Sequence, residues 1–265
     1  MKIVTEVSEL VHGCAFVPTM GALHAGHQSL FKIAASHKEQ VLASIFLNPL
    51  QFESAEDLEK YPRTIERDIE MAQAAGVTHL WLPRYEEVYP EGFEKLSAGS
   101  LGNIYEGASR PGHFDGVVTV VSRLFELAQP QCAIFGEKDF QQLALIKKIE
   151  SDVEIIAAPT IRESDGLALS SRNVRLDPAA REAATVISRA LFAAVGEESL
   201  ASAHSRLLEV LAEEDAFTCD YAEIIDEDEF IPATQSTPQA RAIIAGWLNG
   251  IRLIDNMAMK LGARS

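Results

Sequence analysis

Two histidines three residues apart, His24 and His27, sit in the run Pro18-Thr19-Met20-Gly21-Ala22-Leu23-His24-Ala25-Gly26-His27. The apolar Ala15-Phe16-Val17 before it reads as a buried strand, and the sequence after Gly26 reads as a helix, so both imidazoles can face one side of a helix start. Free N–H groups and partial positive charge at such a start suit phosphate oxygens. Gly26 removes a side chain where a polyphosphate would approach. Taken alone, the pair reads more simply as two surface histidines or half of a metal site. Zinc is the weaker of these, because neither a cysteine nor a third histidine lies nearby.

Two more donor-rich segments follow apolar strands. In Phe135-Gly136-Glu137-Lys138-Asp139-Phe140-Gln141-Gln142, Gly136 permits close backbone approach, Lys138 brings a mobile charge and Asp139 can accept from ribose hydroxyls. By itself this is a solvated turn with a Lys–Asp pair. In Pro159-Thr160-Ile161-Arg162-Glu163-Ser164-Asp165-Gly166-Leu167-Ala168-Leu169-Ser170-Ser171-Arg172-Asn173, two hydroxyls, a guanidinium and an amide form a dense donor set suited to pyrophosphate. By itself it is a polar linker. Three such loops at strand ends are harder to dismiss together, since ligands of open parallel sheets bind at the C-terminal ends of strands.

The surrounding charge sharpens this reading. The 265 residues carry a net charge of −16, a field that repels nucleic acid backbones, so no nucleic acid partner is expected. An anion such as ATP can be held only where His, Lys, Arg and N–H groups converge. Cys14, Cys132 and Cys219 are too scattered for a disulfide framework or a zinc ribbon. The start of the chain has no signal-like apolar run, and no stretch approaches the ~18 apolar residues of a membrane span. No membrane partner and a cytoplasmic location are the expectations.

Positioning these loops falls to an alternating pattern of strands and helices. Strands are expected at Ala15–Val17, Val41–Phe46, His79–Leu82, Cys132–Phe135 and Val153–Ala157. Helices are expected from Gly26 (Leu30, Ile33 and Ala34 inward), at Thr64–Ala75 (Ile65, Ile69 and Ala72 inward, Gly76 as cap), at Val117–Ala128 and at Gln141–Ile149. That order implies a doubly wound parallel α/β sheet. After Asp177-Pro178, residues 179–213 read as two amphipathic helices and Thr218–Ile225, Ala242–Leu248 and Ile251–Ile254 as strands, a smaller α+β domain. The long Gly-rich stretch 90–113 reads as a functional or mobile loop.

His-Ala-Gly-His with a distal Ser-Ser-Arg loop resembles the nucleotidyltransferases related to class I aminoacyl-tRNA synthetases. Within them the chain resembles the pantoate–β-alanine ligase (pantothenate synthetase) family. The resemblance is carried by Val17–His27, Ser44-Ile45-Phe46-Leu47-Asn48-Pro49-Leu50-Gln51-Phe52, Tyr61-Pro62-Arg63-Thr64 and Glu106-Gly107-Ala108-Ser109-Arg110-Pro111-Gly112-His113-Phe114, then by Gly136–Gln142 and Leu167–Asn173. It resumes weakly at Asp220–Ile224 and Arg252–Asn256. The segment before Ala15 is shorter than is usual in the family, and the region between Ile225 and Ala242 looks trimmed.

The resemblance implies a Rossmann-like nucleotide- and pantoate-binding domain over residues 1–176, a lid domain over 177–265 and a homodimer. It implies ATP-dependent joining of pantoate and β-alanine through a pantoyl adenylate, a step towards coenzyme A. ATP would meet Met20, Gly21, Ala22, Leu23, His24, Ala25, Gly26 and His27, then Gly136, Glu137, Lys138 and Asp139, and finally Ile161, Leu169, Ser170, Ser171 and Arg172. The catalytic roles would fall to His24 and His27, with His27 the candidate proton donor, and to Lys138, Ser170, Ser171 and Arg172 for the leaving pyrophosphate. Gly136, Asp139 and Ile161 would hold adenosine. Gln51 and Gln142 would bind pantoate with help from Met20, and Asn48, Tyr61, Arg110 and His113 would bind substrate or order loops. Mg2+ is expected with the ATP phosphates; its protein ligands are not identified, Asp68 being one weak candidate. Two rivals remain: an adenylyltransferase making a dinucleotide cofactor, which would not need the Asn48–Phe52 segment, and a nucleotide-binding regulator without turnover.

Overall fold

The computed structural model describes residues 1–259. By contacts the chain divides into two compact units, Met1–Thr160 and Ile161 onward, a boundary earlier in the chain than the expected one at 176/177. Residues 161–176 therefore pack with the C-terminal unit.

The first unit runs β1 (Lys2–Val4), β2 (Ala15–Thr19), α1 (Ala25–His37), β3 (Val41–Ile45), α2 (Ala55–Glu59), α3 (Ile65–Ala74), β4 (His79–Trp81), α4 (Tyr85–Val88), α5 (Glu106–Ser109), α6 (His113–Ala128), β5 (Cys132–Gly136), α7 (Phe140–Lys147) and β6 (Glu154–Ala158). The six strands form one parallel sheet in the order β1-β4-β3-β2-β5-β6. The chain winds outward from β2 on one side and resumes at β5 on the other, which makes the β2/β5 boundary the switch point of a doubly wound fold. Buried side chains cover both faces of this sheet, Phe16, Leu42 and Trp81 on one and Val17, Ala43 and Leu80 on the other, each group in its own core cluster.

One residue opens the crevice at the switch point. The β2–β3 ladder continues to Thr19, whereas the β2–β5 ladder ends at Phe16. Thr19 accepts from Phe46 N–H on the β3 side, so the two-residue alternation turns Pro18 towards β5. Proline has no N–H to donate there, and the strands part.

Several expected details shift. Ile65, expected to face inward, is 43% exposed, while Asp68 and Ala72 are buried on α3. The inner face of this helix meets a polar loop at its N-terminal end, so a carboxylate replaces an apolar side chain. On α1 the fully buried large residue is Phe31, with Leu30 and Ile33 only partly covered. Helix α6 begins at His113, four residues before the expected Val117, because Gly112 turns the chain in at φ 77° without a capping side chain. The short strand β1 was not expected. Stretch 90–113 contains a 3-10 turn at Ser100–Asn103 as well as α5, and Gly107 is hemmed in so closely that a Cβ would lie 2.0 Å from the Gly102 carbonyl oxygen.

The second unit contains α8 (Pro178–Val195), α9 (Leu200–Leu211) and an antiparallel sheet of β7 (Phe217–Asp226), β8 (Ala240–Leu248) and β9 (Ile251–Met259) in that order. Its core joins Ile187, Leu191 and Leu207 of the helices to Ile244 and Leu253 of the sheet. Among the described residues no helix is long and apolar enough to cross a membrane.

Candidate functional site

The two histidines sit where β2 gives way to α1. His24 is the N-cap residue of α1, and its Nδ1 accepts from Gly26 N–H at 3.1 Å. The N–H of His24 donates in turn to Nδ1 of His27 at 3.3 Å, so the pair forms a reciprocal capping box from imidazoles. Ring centroids lie 4.1 Å apart. A backbone N–H can only donate, so each Nδ1 is unprotonated and each Nε2 carries the hydrogen. Burial pushes His24 down to about 4, with the Lys138 ammonium adding to the effect and Asp139 opposing it. Burial also pushes His27 down to about 3, aided by His24. Both rings are thus neutral at pH 7, with one Nε2–H donor each.

The loop before them has an unusual backbone, with Gly21 at φ 83° and Ala22 at φ 50°. A buried carboxylate holds it: Asp68 Oδ2 accepts from Ala22 N–H at 2.9 Å, and Oδ1 from Leu23 N–H at 2.8 Å and the Thr64 hydroxyl at 3.0 Å. A Cβ on Gly21 would lie 3.1 Å from both Asp68 Oδ2 and the Ile45 side chain, so shape and φ both call for glycine. Asp68 therefore spends both oxygens on the histidine loop. Among the described residues no cluster of three or more His, Cys, Asp or Glu side chains could hold a metal ion. A mostly apolar cavity of about 520 Å³ is bounded by Met20, Gly21, Ala22, Phe46, Pro62 and Asp68. Of the residues expected around the acid, Met20 alone lines it.

Lys138 and Asp139 follow β5 in a 3-10 turn leading into α7, their side chains 3.8 Å apart and Lys138 mostly covered. Because β2 and β5 are neighbours, this turn lies close enough to act electrostatically on both histidines. Consecutive residues on a helix point about 100° apart, and Gln141 and Gln142 of α7 separate accordingly. Gln141 is buried, donating to the Leu101 and Ile104 carbonyls and accepting from Glu106 N–H. Gln142 remains half-buried.

Gln51 sits in a tightly built frame. Asn48, 1% exposed, donates to Gln51 Oε1 at 3.0 Å and to the Gly116 carbonyl, and accepts from Leu50 N–H and the Tyr89 hydroxyl. All four hydrogen-bonding positions of its amide are filled, and the Gln51 carboxamide is left with its NH2 to offer. His113 Nδ1 must donate to the Gln51 carbonyl, 2.8 Å away, so its Nε2 accepts from Arg110 at 3.2 Å. Arg110 is also paired with Glu53 at 2.7 Å and Glu106 at 3.5 Å. Asn48, Arg110 and His113 thus order the Gln51 segment. Tyr61 stacks edge-on against Phe52, centroids 5.7 Å apart.

Ile161, Leu169, Ser170, Ser171 and Arg172 belong to the second unit. There Arg162 bridges to Ala168 in a small antiparallel hairpin, closed by Leu169 N–H donating to the Ile161 carbonyl. Ser170 then caps a 3-10 turn over Ser171–Arg175, its Oγ accepting from Arg172 N–H at 3.3 Å. Ile161 is exposed; Leu169, Ser170, Ser171 and Arg172 are half-buried. Arg162 and Asp255, ion-paired beneath this loop, had no role assigned from the sequence; neither had Gln141. No spacing signal marks the first two, which are 93 residues apart.

Comparison with known proteins gives the family. The family model for pantoate-beta-alanine ligase matches residues 2–258. The pantothenate synthetase of Acidothermus cellulolyticus is 49% identical, over 93% of this chain and 85% of its own. That of Thermus thermophilus is 46% identical over 97% and 99%, and its crystal structure superposes with a TM-score of 0.92. A pantoate-beta-alanine ligase from Francisella tularensis, solved in complex with beta-gamma ATP and beta-alanine, is 32% identical with a TM-score of 0.80, covering 99% of both chains. With a family match over nearly every residue and such identities along the whole length, the chain belongs to the pantoate–β-alanine ligase family.

Proposed function

We propose that the protein joins pantoate to β-alanine through a pantoyl adenylate, at the expense of ATP. A carboxylate oxygen of pantoate attacks the α-phosphorus, the bond from that phosphorus to the α,β-bridging oxygen breaks, and pyrophosphate leaves. The β-alanine amine then attacks the acyl carbon, forming the C–N bond as AMP departs and the amine loses a proton. No enzyme nucleophile is required, so catalysis reduces to alignment and stabilisation of phosphoryl charge.

The observation carrying this reading is the placement of His24, His27 and Lys138 just past the C-terminal ends of neighbouring strands β2 and β5. His24 and His27 act as neutral Nε2–H donors to phosphate oxygens, with His27 donating its hydrogen bond where charge develops. Lys138, Ser170, Ser171 and Arg172 take up charge on the departing pyrophosphate. Gly136, Asp139 and Ile161 hold adenosine, and Gln51, Gln142 and Met20 hold pantoate, with Asn48, Arg110 and His113 behind Gln51. Magnesium enters as part of the MgATP substrate.

The test is separation of the half-reactions. With MgATP and pantoate alone, the protein should release one pyrophosphate per site and exchange labelled pyrophosphate into ATP; β-alanine should discharge the intermediate as pantothenate and AMP. Appearance of ADP and phosphate would mean an acyl phosphate intermediate and overturn the proposal.

A further inference from the structure

Ser170, Ser171 and Arg172 lie on a short turn, and a leaving group can be stabilised only by donors that stay in place. One buried charge of the second unit with no part in the proposed reaction is Asp255 on β9, 4% exposed. Its Oδ2 accepts from Arg162 Nη1 at 2.5 Å and its Oδ1 from Arg162 Nη2 at 2.9 Å, a two-pronged pair. Asn256 N–H donates to the same Oδ1 at 2.8 Å, so the carboxylate itself is held by the strand. The remaining reach of Arg162 goes to the Gly166 carbonyl at 3.1 Å and the Asn256 carbonyl at 3.3 Å, with the Phe192 ring 5.7 Å from its guanidinium.

A buried ion pair seldom repays its desolvation, and well-packed apolar side chains would hold two segments together as well. What the forked pair adds is direction, because planar guanidinium and carboxylate fix orientation as well as distance. That direction passes along the hairpin. Arg162 is bridged to Ala168, Glu163 N–H donates to the Leu167 carbonyl, and Gly166 makes the turn at φ 89°, where a Cβ would lie 3.0 Å from the Ser188 hydroxyl of α8. Arg181 of α8 pairs with Glu163 and Asp165 at the hairpin tip. Asn173 reaches back to the Ala168 carbonyl at 3.0 Å, tying the Ser170–Arg172 turn to the same hairpin. The turn also packs on β9 itself.

We propose that the Arg162–Asp255 pair is the positioning element that sets Ser170, Ser171 and Arg172 for the departing pyrophosphate. This rests on the assignment of those three residues in the proposed function.

The experiment measures pantoate-dependent pyrophosphate exchange, normalised to active sites counted by the pyrophosphate burst without β-alanine, alongside thermal unfolding. Asp255→Asn keeps the volume and removes the charge; Arg162→Lys keeps a charge and removes the fork, and serves if the first variant fails to fold. Both should lower exchange kcat per site by about 10- to 100-fold, the scale of a small misplacement of catalytic groups, with KM for pantoate unchanged. Arg189→Gln, which removes an exposed pair with Glu213 in the same unit, should change neither. A lower melting temperature with full kcat per titrated site in both variants would make the pair merely structural and overturn the inference. If Arg172→Ala impairs exchange while Asp255→Asn does not, the inference alone falls. If Arg172→Ala leaves exchange intact, the assignment beneath it falls.

Discussion

The two loops proposed to handle phosphate are held by opposite devices. Around the histidines, one carboxylate reaches directly into the loop and accepts from the N–H groups of two consecutive residues, Ala22 and Leu23. Around Ser170–Arg172, the carboxylate never touches the loop: Asp255 holds Arg162, and Arg162 opens a hairpin whose far end carries the donors. The first arrangement suits a backbone forced into positive φ, where unpaired N–H groups need an acceptor anyway. The second suits a side-chain-rich turn, which must be aimed rather than propped. Direct support tolerates little change in its single acceptor, while indirect support spreads over several bonds.

The largest effect should come from the first loop. His27→Ala removes one preorganised donor and should reduce pyrophosphate exchange by about 10²- to 10³-fold. Near-full turnover in a folded variant would make the imidazole a capping group only, because its Nδ1 already serves the His24 N–H.

Asp68→Ala comes next. It leaves two loop N–H groups without their acceptor, which should cost about 1–3 kcal/mol in urea unfolding and about 10- to 100-fold in exchange kcat as the loop relaxes. Asp68→Asn, which keeps one acceptor oxygen, should fall between the variant and the native protein. A raised Mg2+ requirement with kcat and stability intact would instead identify Asp68 as a metal ligand and break the parallel with Asp255.

These two carboxylates show where the sequence was readable. The parallel sheet, the helix after Gly26 and the donor-rich loops follow from local patterning: apolar runs of strand length, glycines at turns, polar residues at strand ends. Helix α6 starts four residues ahead of its sequence-based expectation because its cap is the backbone of Gly112, which leaves no side-chain signature. Asp68 appears in the sequence only as one acidic residue on a charged helix, and Asp255 lies 93 residues from its partner. Neither periodicity nor spacing carries such information, because the partner of a buried charge is chosen by the fold. The same holds for Asn48 and Arg110, whose residue types suit substrate contact but whose hydrogen bonds go to the Gln51 segment.

A smaller effect tests that frame. Asn48→Ala frees the Gln51 carboxamide to rotate and should raise KM for pantoate by about tenfold, the worth of roughly one buried hydrogen bond, with exchange kcat at saturation nearly unchanged. A fall in kcat with constant KM would show that Asn48 supports the histidine side of the site rather than the acid side.

The smallest effect is on pH dependence, and it separates the two loops cleanly, since only the first contains histidines. An unperturbed imidazole titrates near 6.5, whereas His24 is pushed down to about 4 and His27 to about 3 in the folded protein. Below about pH 6.5 the unfolded chain therefore binds protons that the folded chain refuses. Stability from this pair is fully present above pH 6.5 and is lost as pH falls towards the folded values. Each group can add at most about 1.4 kcal/mol per pH unit, so the pair can weaken the fold by at most about 4 kcal/mol between pH 7 and 5, and partial solvent access reduces this. Urea unfolding of the native protein should weaken towards acid more steeply than that of the His24→Asn/His27→Asn double variant. Exchange kcat of the native protein should stay level over the same range, because the donors remain neutral Nε2–H groups. Equal acid slopes in the two proteins would mean that the imidazoles titrate normally, and the picture of a neutral, backbone-locked pair would have to be abandoned.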